Sequence, residues 1–272
     1  MVRVDKPKYR SQLRKKAGKE FYCIKQRFQW WTGPEIFARD IDLSPLPNQL
    51  IKHQSILLRP LKGVDLYLQH NKIVNLRLAI AKINGIIIEP GQTFSFWKLV
   101  GRPTRAKGYL EGMTLSNGNV TKGVGGGLCQ LGNLIYWMSL HTPLTVTKRW
   151  RHSYDVFPDV NRKLPFGCGA TLSYNYIDLQ LRNDTNTVFQ INLSLTKTHL
   201  QGNICSGHPI HVEYKVFERN PKFELQWWGG YTRHNQLWRT IINKTNQKES
   251  EELICENHAI MMYNPLLETG QT

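Results

Sequence analysis

The chain has 272 residues, of which 40% are hydrophobic and 11% aromatic, so it can bury a sizeable core and is not intrinsically disordered. Lysine and arginine number 36 against 20 aspartate and glutamate residues, which gives a formal net charge of +16 at pH 7. This excess favours an anionic partner such as anionic lipid or a cell-wall polymer, and nucleic acid is the partner that we expect least. A soluble surface that is merely basic is the other interpretation.

The N-terminal segment, residues 1–40, is predicted to contain a basic amphipathic helix. Apolar residues recur at steps of three and four, namely Leu13, Ala17, Phe21, Ile24, Phe28 and Trp31. Lysines and arginines occupy positions between them, and Gly33-Pro34 ends the pattern. Such a stripe usually packs against the domain, and this is what we expect. The alternative is peripheral contact between the helix and an anionic membrane.

Location follows from what the sequence lacks. No signal-like apolar run opens the chain, and the apolar stretch Ile86-Ile87-Ile88 is far too short to cross a bilayer. The five cysteines are odd in number and contain no Cys-x-x-Cys pair, which indicates a reducing compartment and buried thiols. We therefore expect a cytoplasmic protein, or one held peripherally at the inner face of the membrane.

The middle of the chain predicts alternating strands and helices. A linker over 40–50 precedes a strand from His53 to Arg59, a helix from Val64 to Ile83 and a strand at 86–88. The aromatic run from Phe94 to Trp97 is also predicted to be a strand. A long glycine-rich region over 101–127 then predicts a functional loop, with a hairpin signal at Asn117-Gly118.

The segment from Leu128 to Leu140 is apolar nearly all round, which predicts a central buried helix. Strand patterns follow at 145–150, 170–174, 177–181, 188–195, 211–217 and 237–242. We expect an α+β fold in which a largely antiparallel sheet packs on the helix that starts near Cys129. The domain would span residues 50–200, with a β-rich C-terminal extension over 201–272.

The glycines before Cys129 form the first candidate site. Successive amides in the turn Gly125-Gly126-Gly127 can hold an anion, and a thiol at a helix N-terminus can become a thiolate. Gln130 adds a side-chain donor beside it. The spacing fits neither a Walker loop nor a dinucleotide-binding turn, so no nucleotide or other cofactor is expected. Cys205, His208 and His211 lack a fourth partner for a metal site, so no metal is expected either.

A nucleophilic thiol also needs a base and an orienting group. His152 is the best candidate base, and Asp178 on a later predicted strand is the candidate orienting group. The flanking Arg149 and Arg151 would keep the imidazole neutral and attract an anion. The same residues are also consistent with ligand binding without chemistry, which we favour, or with a purely structural role.

Several motifs together resemble the VanW family. The core of the resemblance is Gly125-Gly126-Gly127-Leu128-Cys129-Gln130-Leu131. The flanking matches include Pro90-Gly91-Gln92-Thr93-Phe94-Ser95-Phe96, Val100-Gly101-Arg102-Pro103-Thr104, Arg151-His152-Ser153-Tyr154-Asp155-Val156 and Arg182-Asn183. They extend over about residues 85–195.

The resemblance implies a role in glycopeptide resistance or cell-envelope biology, and it implies no particular reaction. Two hypotheses follow: an accessory protein that binds an anionic or peptidoglycan-related ligand at the glycine turn, or a cysteine hydrolase or transferase acting on peptidoglycan-type peptides. Many relatives carry an aspartate before the Ala170-Thr171 pair, where this chain has Gly169. A role for that acid does not transfer, which leaves Asp178 as the third group of the hydrolase hypothesis.

Overall fold

A computed structural model describes residues 11–58, 65–116, 118–157 and 164–265. Its helices are α1 (Gln12–Thr32), α2 (Leu66–Ile83), α3 (Phe96–Val100) and α4 (Cys129–Ser139), with a short 3-10 helix at Arg105–Lys107. Three four-stranded sheets and one two-stranded ribbon complete these parts of the chain. The predicted α+β class with largely antiparallel sheets is confirmed, and α4 begins at Cys129.

The central sheet supplies the floor of the core. Its strands are β2 (Asn48–Ile56), β3 (Ile86–Ile88), β10 (Phe189–Leu195) and β11 (His199–Ser206), in the order β2-β11-β10-β3 with antiparallel pairing throughout. Helices α2 and α4 pack on this sheet, and Leu131, Ile135 and Met138 of α4 are completely buried. Helix α4 is the buried helix that its apolar pattern predicts.

A second sheet lies beside the core in the order β1-β4-β9-β7. Its strands are β1 (Ile36–Phe37), β4 (Gln92–Ser95), β7 (Thr145–Lys148) and β9 (Gln180–Arg182). Only the β1–β4 pair is parallel. This sheet joins the residues before the glycine turn to those that follow α4.

The third sheet holds the C-terminal strands in the order β12-β13-β14-β8. Its strands are β8 (Tyr154–Asp155), β12 (Val212–Leu225), β13 (Tyr231–Asn243) and β14 (Glu249–Met261). Strand β8 pairs in parallel with β14, which ties the Arg151-His152 region to the C-terminal strands. Residues 201–206 belong to β11 of the central sheet, and the C-terminal strands of the third sheet begin at Val212.

Three local predictions were wrong. Only Phe94 and Ser95 of the aromatic run are in β4, because Ser95 caps the N-terminus of α3 by accepting a hydrogen bond from Lys98 N. The region 101–127 is no open loop, since it contains the ribbon of β5 (Glu111–Ser116) and β6 (Asn119–Val124). The run 170–174 forms no ladder strand and contributes only an isolated bridge from Ser173 to Ile177. Arg59, Val64 and Asn117 lie outside the described residues.

The expected packing of the α1 stripe was also wrong. Its apolar residues Leu13, Phe21, Ile24, Phe28 and Trp31 are exposed, and the buried residues of α1 are Cys23 and Gln26. Cys23 Sγ donates to Tyr174 O at 3.2 Å, which anchors the opposite face of the helix. Periodicity locates an apolar face but does not say whether the protein covers it.

Candidate functional site

The three glycines of the turn are required by close packing. A Cβ on Gly126 would lie 2.2 Å from the carbonyl carbon of Gly112, so two backbones meet there. Gly125 and Gly127 have φ of +78° and +94°, in the left-handed region that favours glycine. A Cβ at these two positions would press on Pro103 and Lys72. The turn therefore seats α4 against α2 and the β5–β6 ribbon.

Part of the anion-holding capacity of the turn is already used. The amide of Gly125 donates to Leu110 O and that of Gly126 to Gly123 O, both at 3.0 Å. Asn75 of α2 fastens the same place, since its Nδ2 donates to Gly126 O at 2.9 Å. Sequence reasoning missed Asn75, although an asparagine among apolar helix positions is a signal for a buried polar anchor.

Cys129 lies at the first position of α4, as predicted, but its thiol is not activated there. Burial raises the pKa of Cys129, which is the opposite of what a thiolate nucleophile requires. Its Sγ lies 3.8 Å from Leu172 O, to which it donates a weak hydrogen bond. The helix N-terminus does not compensate for the loss of water around the sulfur.

His152 is partly buried, and it forms no hydrogen bond within the described part of the chain. Burial lowers its pKa, and the charge of Arg149 lowers it further, so the imidazole is neutral near pH 7. This agrees with the expected effect of Arg149. No hydrogen bond joins His152 to Cys129, and neither group is a cause of the other's pKa shift.

Asp178 is fully buried at the junction of β4 and α3. Its Oδ2 accepts from Ser95 Oγ at 2.6 Å, and its Oδ1 accepts from Trp97 N at 3.0 Å. Gln180 Nε2 also donates to Oδ2, at 3.0 Å. Burial raises the pKa of Asp178 to about 6 despite these donors. The carboxylate thus holds the start of α3, and its hydrogen bonds do not include His152.

Two further candidates have structural partners. Gln130 Nε2 donates to Ser55 Oγ and to Ile56 O, both at 2.9 Å, and so fixes α4 to β2. Arg149 Nε donates to Gly169 O at 2.9 Å, and its guanidinium lies 4.6 Å from the centre of the Tyr136 ring. Its Nη2 donates to Gly167 O. Gln130 and Arg149 therefore already donate hydrogen bonds within the protein.

Arg151 differs from Arg149. Its Nη1 is buried and has no hydrogen-bond partner among the described residues. Burial lowers the pKa of Arg151, and the charge of Arg149 lowers it further. Thr171 is close by, since its amide donates to Trp150 O at 2.6 Å, and the buried Thr171 Oγ1 also has no partner within the described ranges. Two adjoining segments thus carry buried donors without acceptors.

His234 and His258 of the third sheet lie close enough to Arg151 for its charge to lower the pKa of both. Burial lowers the pKa of His258, and the charge of Arg151 lowers it further. Nδ1 of His258 lies 2.6 Å from Nδ1 of His234, so one of the two imidazoles accepts from the other. No local sequence pattern predicts this approach, because the two histidines lie about 80 to 110 residues beyond Arg151.

Two kinds of feature do not occur in the residues that the structure describes. Within these residues, no three histidine, cysteine, aspartate or glutamate side chains are grouped as metal ligands. None of the helices in the same residues combines the length and apolarity needed to span a bilayer.

Residues 71–205 match the family model of VanW-like proteins. The chain belongs to the VanW family. It is 38% identical over 180 residues to the vancomycin B-type resistance protein VanW of Enterococcus faecalis, and this covers 66% of each chain. It is 33% identical over 112 residues to the uncharacterized protein YoaR of Bacillus subtilis, which covers 41% of this chain and 35% of that protein.

The match to these relatives is partial. The chain spans just under two thirds of the Enterococcus protein and about one third of the Bacillus protein. No solved structure gives a significant match. The family match includes the glycine turn, Arg149, Arg151 and Asp178, and it ends before the C-terminal strands β13 and β14, which carry His234 and His258.

Proposed function

We propose that this VanW-family chain is a non-catalytic accessory protein of glycopeptide resistance or cell-envelope biology that binds an anionic ligand at Arg151. The observation that carries the proposal is the buried Arg151 Nη1 without a hydrogen-bond partner among the described residues. A buried guanidinium N–H group without an acceptor costs free energy, so an acceptor supplied by a ligand would be favoured. The likeness to a vancomycin-resistance protein supports the biological setting.

The ligand we favour is the carboxylate end of a peptide. Its two oxygens fit the fork of a guanidinium, and a hydroxyl such as Thr171 Oγ1 can donate a further hydrogen bond. The glycine turn positions this site through α4. Peptidoglycan-related peptides end in such a carboxylate, which connects the site to the cell envelope.

The cysteine hydrolase or transferase hypothesis has no comparable support. Burial raises the pKa of Cys129, and His152 does not contact it. Asp178 is occupied by Ser95 and Trp97. A Cys-His pair within reach of each other would be the minimum for that chemistry.

The test compares Arg151→Gln with Arg149→Gln in the full chain. The probe is a short peptide ending in D-alanyl-D-alanine, with its C-terminal amide as control, and binding is measured by calorimetry. We expect Arg151→Gln to abolish binding of the free acid and to raise the free energy of unfolding of the unliganded protein, because it removes the buried Nη1 that has no acceptor among the described residues.

Arg149→Gln should instead destabilise the fold, since Arg149 donates to Gly169 O and stacks on Tyr136. Equal binding of the acid and the amide, or destabilisation by Arg151→Gln, would contradict the proposal. In cells, Arg151→Gln should fail to restore vancomycin resistance to a strain that depends on the related Enterococcus protein.

A further inference from the structure

Helix α1 carries a continuous apolar surface that no described residue covers. Its members are at least 60% exposed, namely Leu13, Phe21, Ile24, Phe28 and Trp31. They span most of a helix of 21 residues, which corresponds to about 30 Å. We call these five side chains the outer stripe of α1.

The outer stripe faces outward because the opposite face of α1 is fastened to the body. Cys23 donates to Tyr174 O at 3.2 Å, and Glu20, which lies at the edge of the outer stripe, pairs with Arg102. Gln26 accepts from Lys148, and Lys98 Nζ donates to Trp30 O at 3.4 Å. Anchors lie at four positions along the helix, so α1 is held against the body on one side over most of its length.

Cations flank the outer stripe on both sides. At 100° per residue, Arg14 and Lys25 lie next to one edge of the stripe, and Lys16 and Arg27 lie next to the other. All four side chains are exposed. Residues 1–27 hold ten lysines and arginines against two acidic residues, so half of the net charge of +16 is in this segment.

We propose that the outer stripe of α1 docks the protein on the surface of an anionic lipid bilayer. A helix with aromatic and aliphatic side chains on one face and flanking lysines and arginines lies in the interface between headgroups and acyl chains. Phe28 and Trp31, whose ring centres are 6.3 Å apart, enter this layer, and the flanking cations contact the phosphates. None of the described helices is suited to span the bilayer, so the contact is peripheral.

Charge argues against a second copy of the chain as the occupant. A symmetric dimer through the outer stripe would bring the flanking cations of both copies together, and like charges at an interface are unfavourable. An anionic bilayer offers both an apolar layer and compensating negative charge. This inference is independent of the anion site at Arg151, because it depends on no residue of that site.

The experiment is co-sedimentation of the full chain with vesicles of phosphatidylcholine alone, or containing roughly one third phosphatidylglycerol. We expect binding only to the phosphatidylglycerol vesicles, and a several-fold decrease between about 0.1 M and about 0.5 M salt. The double variant Phe28→Ser/Trp31→Ser should bind at least about tenfold more weakly.

The matched control is Leu225→Ser/Trp227→Ser, which removes a similar exposed apolar area from the turn between β12 and β13, where Trp227 is 75% exposed. This control should bind vesicles as the unaltered chain does, and both double variants should keep the circular dichroism of the parent. Failure of the unaltered chain to bind phosphatidylglycerol vesicles overturns the proposal. So does a dimer, seen by light scattering, that Phe28→Ser/Trp31→Ser dissociates.

Discussion

A substitution of the buried Asp178 tests whether the charge of this side chain has a structural rather than a catalytic role. The perturbation is Asp178→Asn, which keeps the size of the side chain and removes its charge. The amide oxygen can still accept from Trp97 N, and the hydroxyl of Ser95 can turn to accept rather than donate. The change therefore tests the charge of Asp178 with little disturbance of its packing.

The size of the expected change in unfolding free energy follows from the pKa of Asp178. Burial raises the pKa of Asp178 from 3.8 to about 6, so the folded protein keeps a proton that the unfolded chain has already lost. Stability from this group is therefore fully present below pH 3.8 and is lost as the pH rises through about 6. At about 1.4 kcal/mol per pH unit, the loss is about 3 kcal/mol in all and about 2 kcal/mol between pH 4 and pH 7.

The assay is urea denaturation of the parent and of Asp178→Asn at several pH values between about 4 and 7, followed by tryptophan fluorescence. The difference in unfolding free energy should shift by about 2 kcal/mol in favour of the variant over this range. Asp184→Asn is the control, because Arg182 lowers the pKa of the exposed Asp184 below 3.8, so its difference should stay nearly constant over this range. A difference for Asp178→Asn that stays constant with pH would refute the reasoning.

The remaining predictions concern the glycines and the thiol. Gly126→Ala should lower the unfolding free energy by at least about 3 kcal/mol, because its Cβ would lie 2.2 Å from Gly112 C. Gly91→Ala is the control, because a Cβ at this position meets nothing within 4 Å and only the positive φ of +78° is unfavourable for alanine. It should lower the unfolding free energy by about 1 kcal/mol. Gly18→Ala in α1, where a Cβ also meets nothing within 4 Å, should stabilise by about 0.5–1 kcal/mol in thermal unfolding. Iodoacetamide should label native Cys129 more slowly than a free thiol at neutral pH; fast labelling would revive the nucleophile hypothesis.

The core of the fold was predictable because its signal is local. The segment that becomes α4 is apolar nearly all round, and the strands of the central sheet are short β-prone runs. A hairpin is present in the glycine-rich region as expected, since β5 ends at Ser116 and β6 begins at Asn119 and the two strands pair antiparallel. These features need only periodicity and turn chemistry.

The roles of the site residues depend on partners far away in sequence, and this limited their prediction. Arg149 and Arg151 look alike in the sequence, yet only Arg149 meets the carbonyls of 167 and 169 and the ring of Tyr136. In the sequence, the glycines of the turn suggest an anion site. In the structure, Pro103, Gly112 and Lys72 pack against them, which explains why glycine is required. No local pattern contains such contacts.

The glycine turn and Arg151 are connected through α4, and this connection links a packing motif to the proposed binding site. The turn fixes the start of α4 at Cys129, and the helix then presents Asn133, whose Oδ1 accepts from Ala170 N at 2.7 Å. One turn later Tyr136 stacks on Arg149. Helix α4 and Arg149 together hold the segment 167–171. Arg151 lies next to this segment, and its Nη1 has no hydrogen-bond acceptor among the described residues. A change in the turn should therefore weaken ligand binding only through the fold, whereas Arg151→Gln should weaken it in a protein that is fully folded.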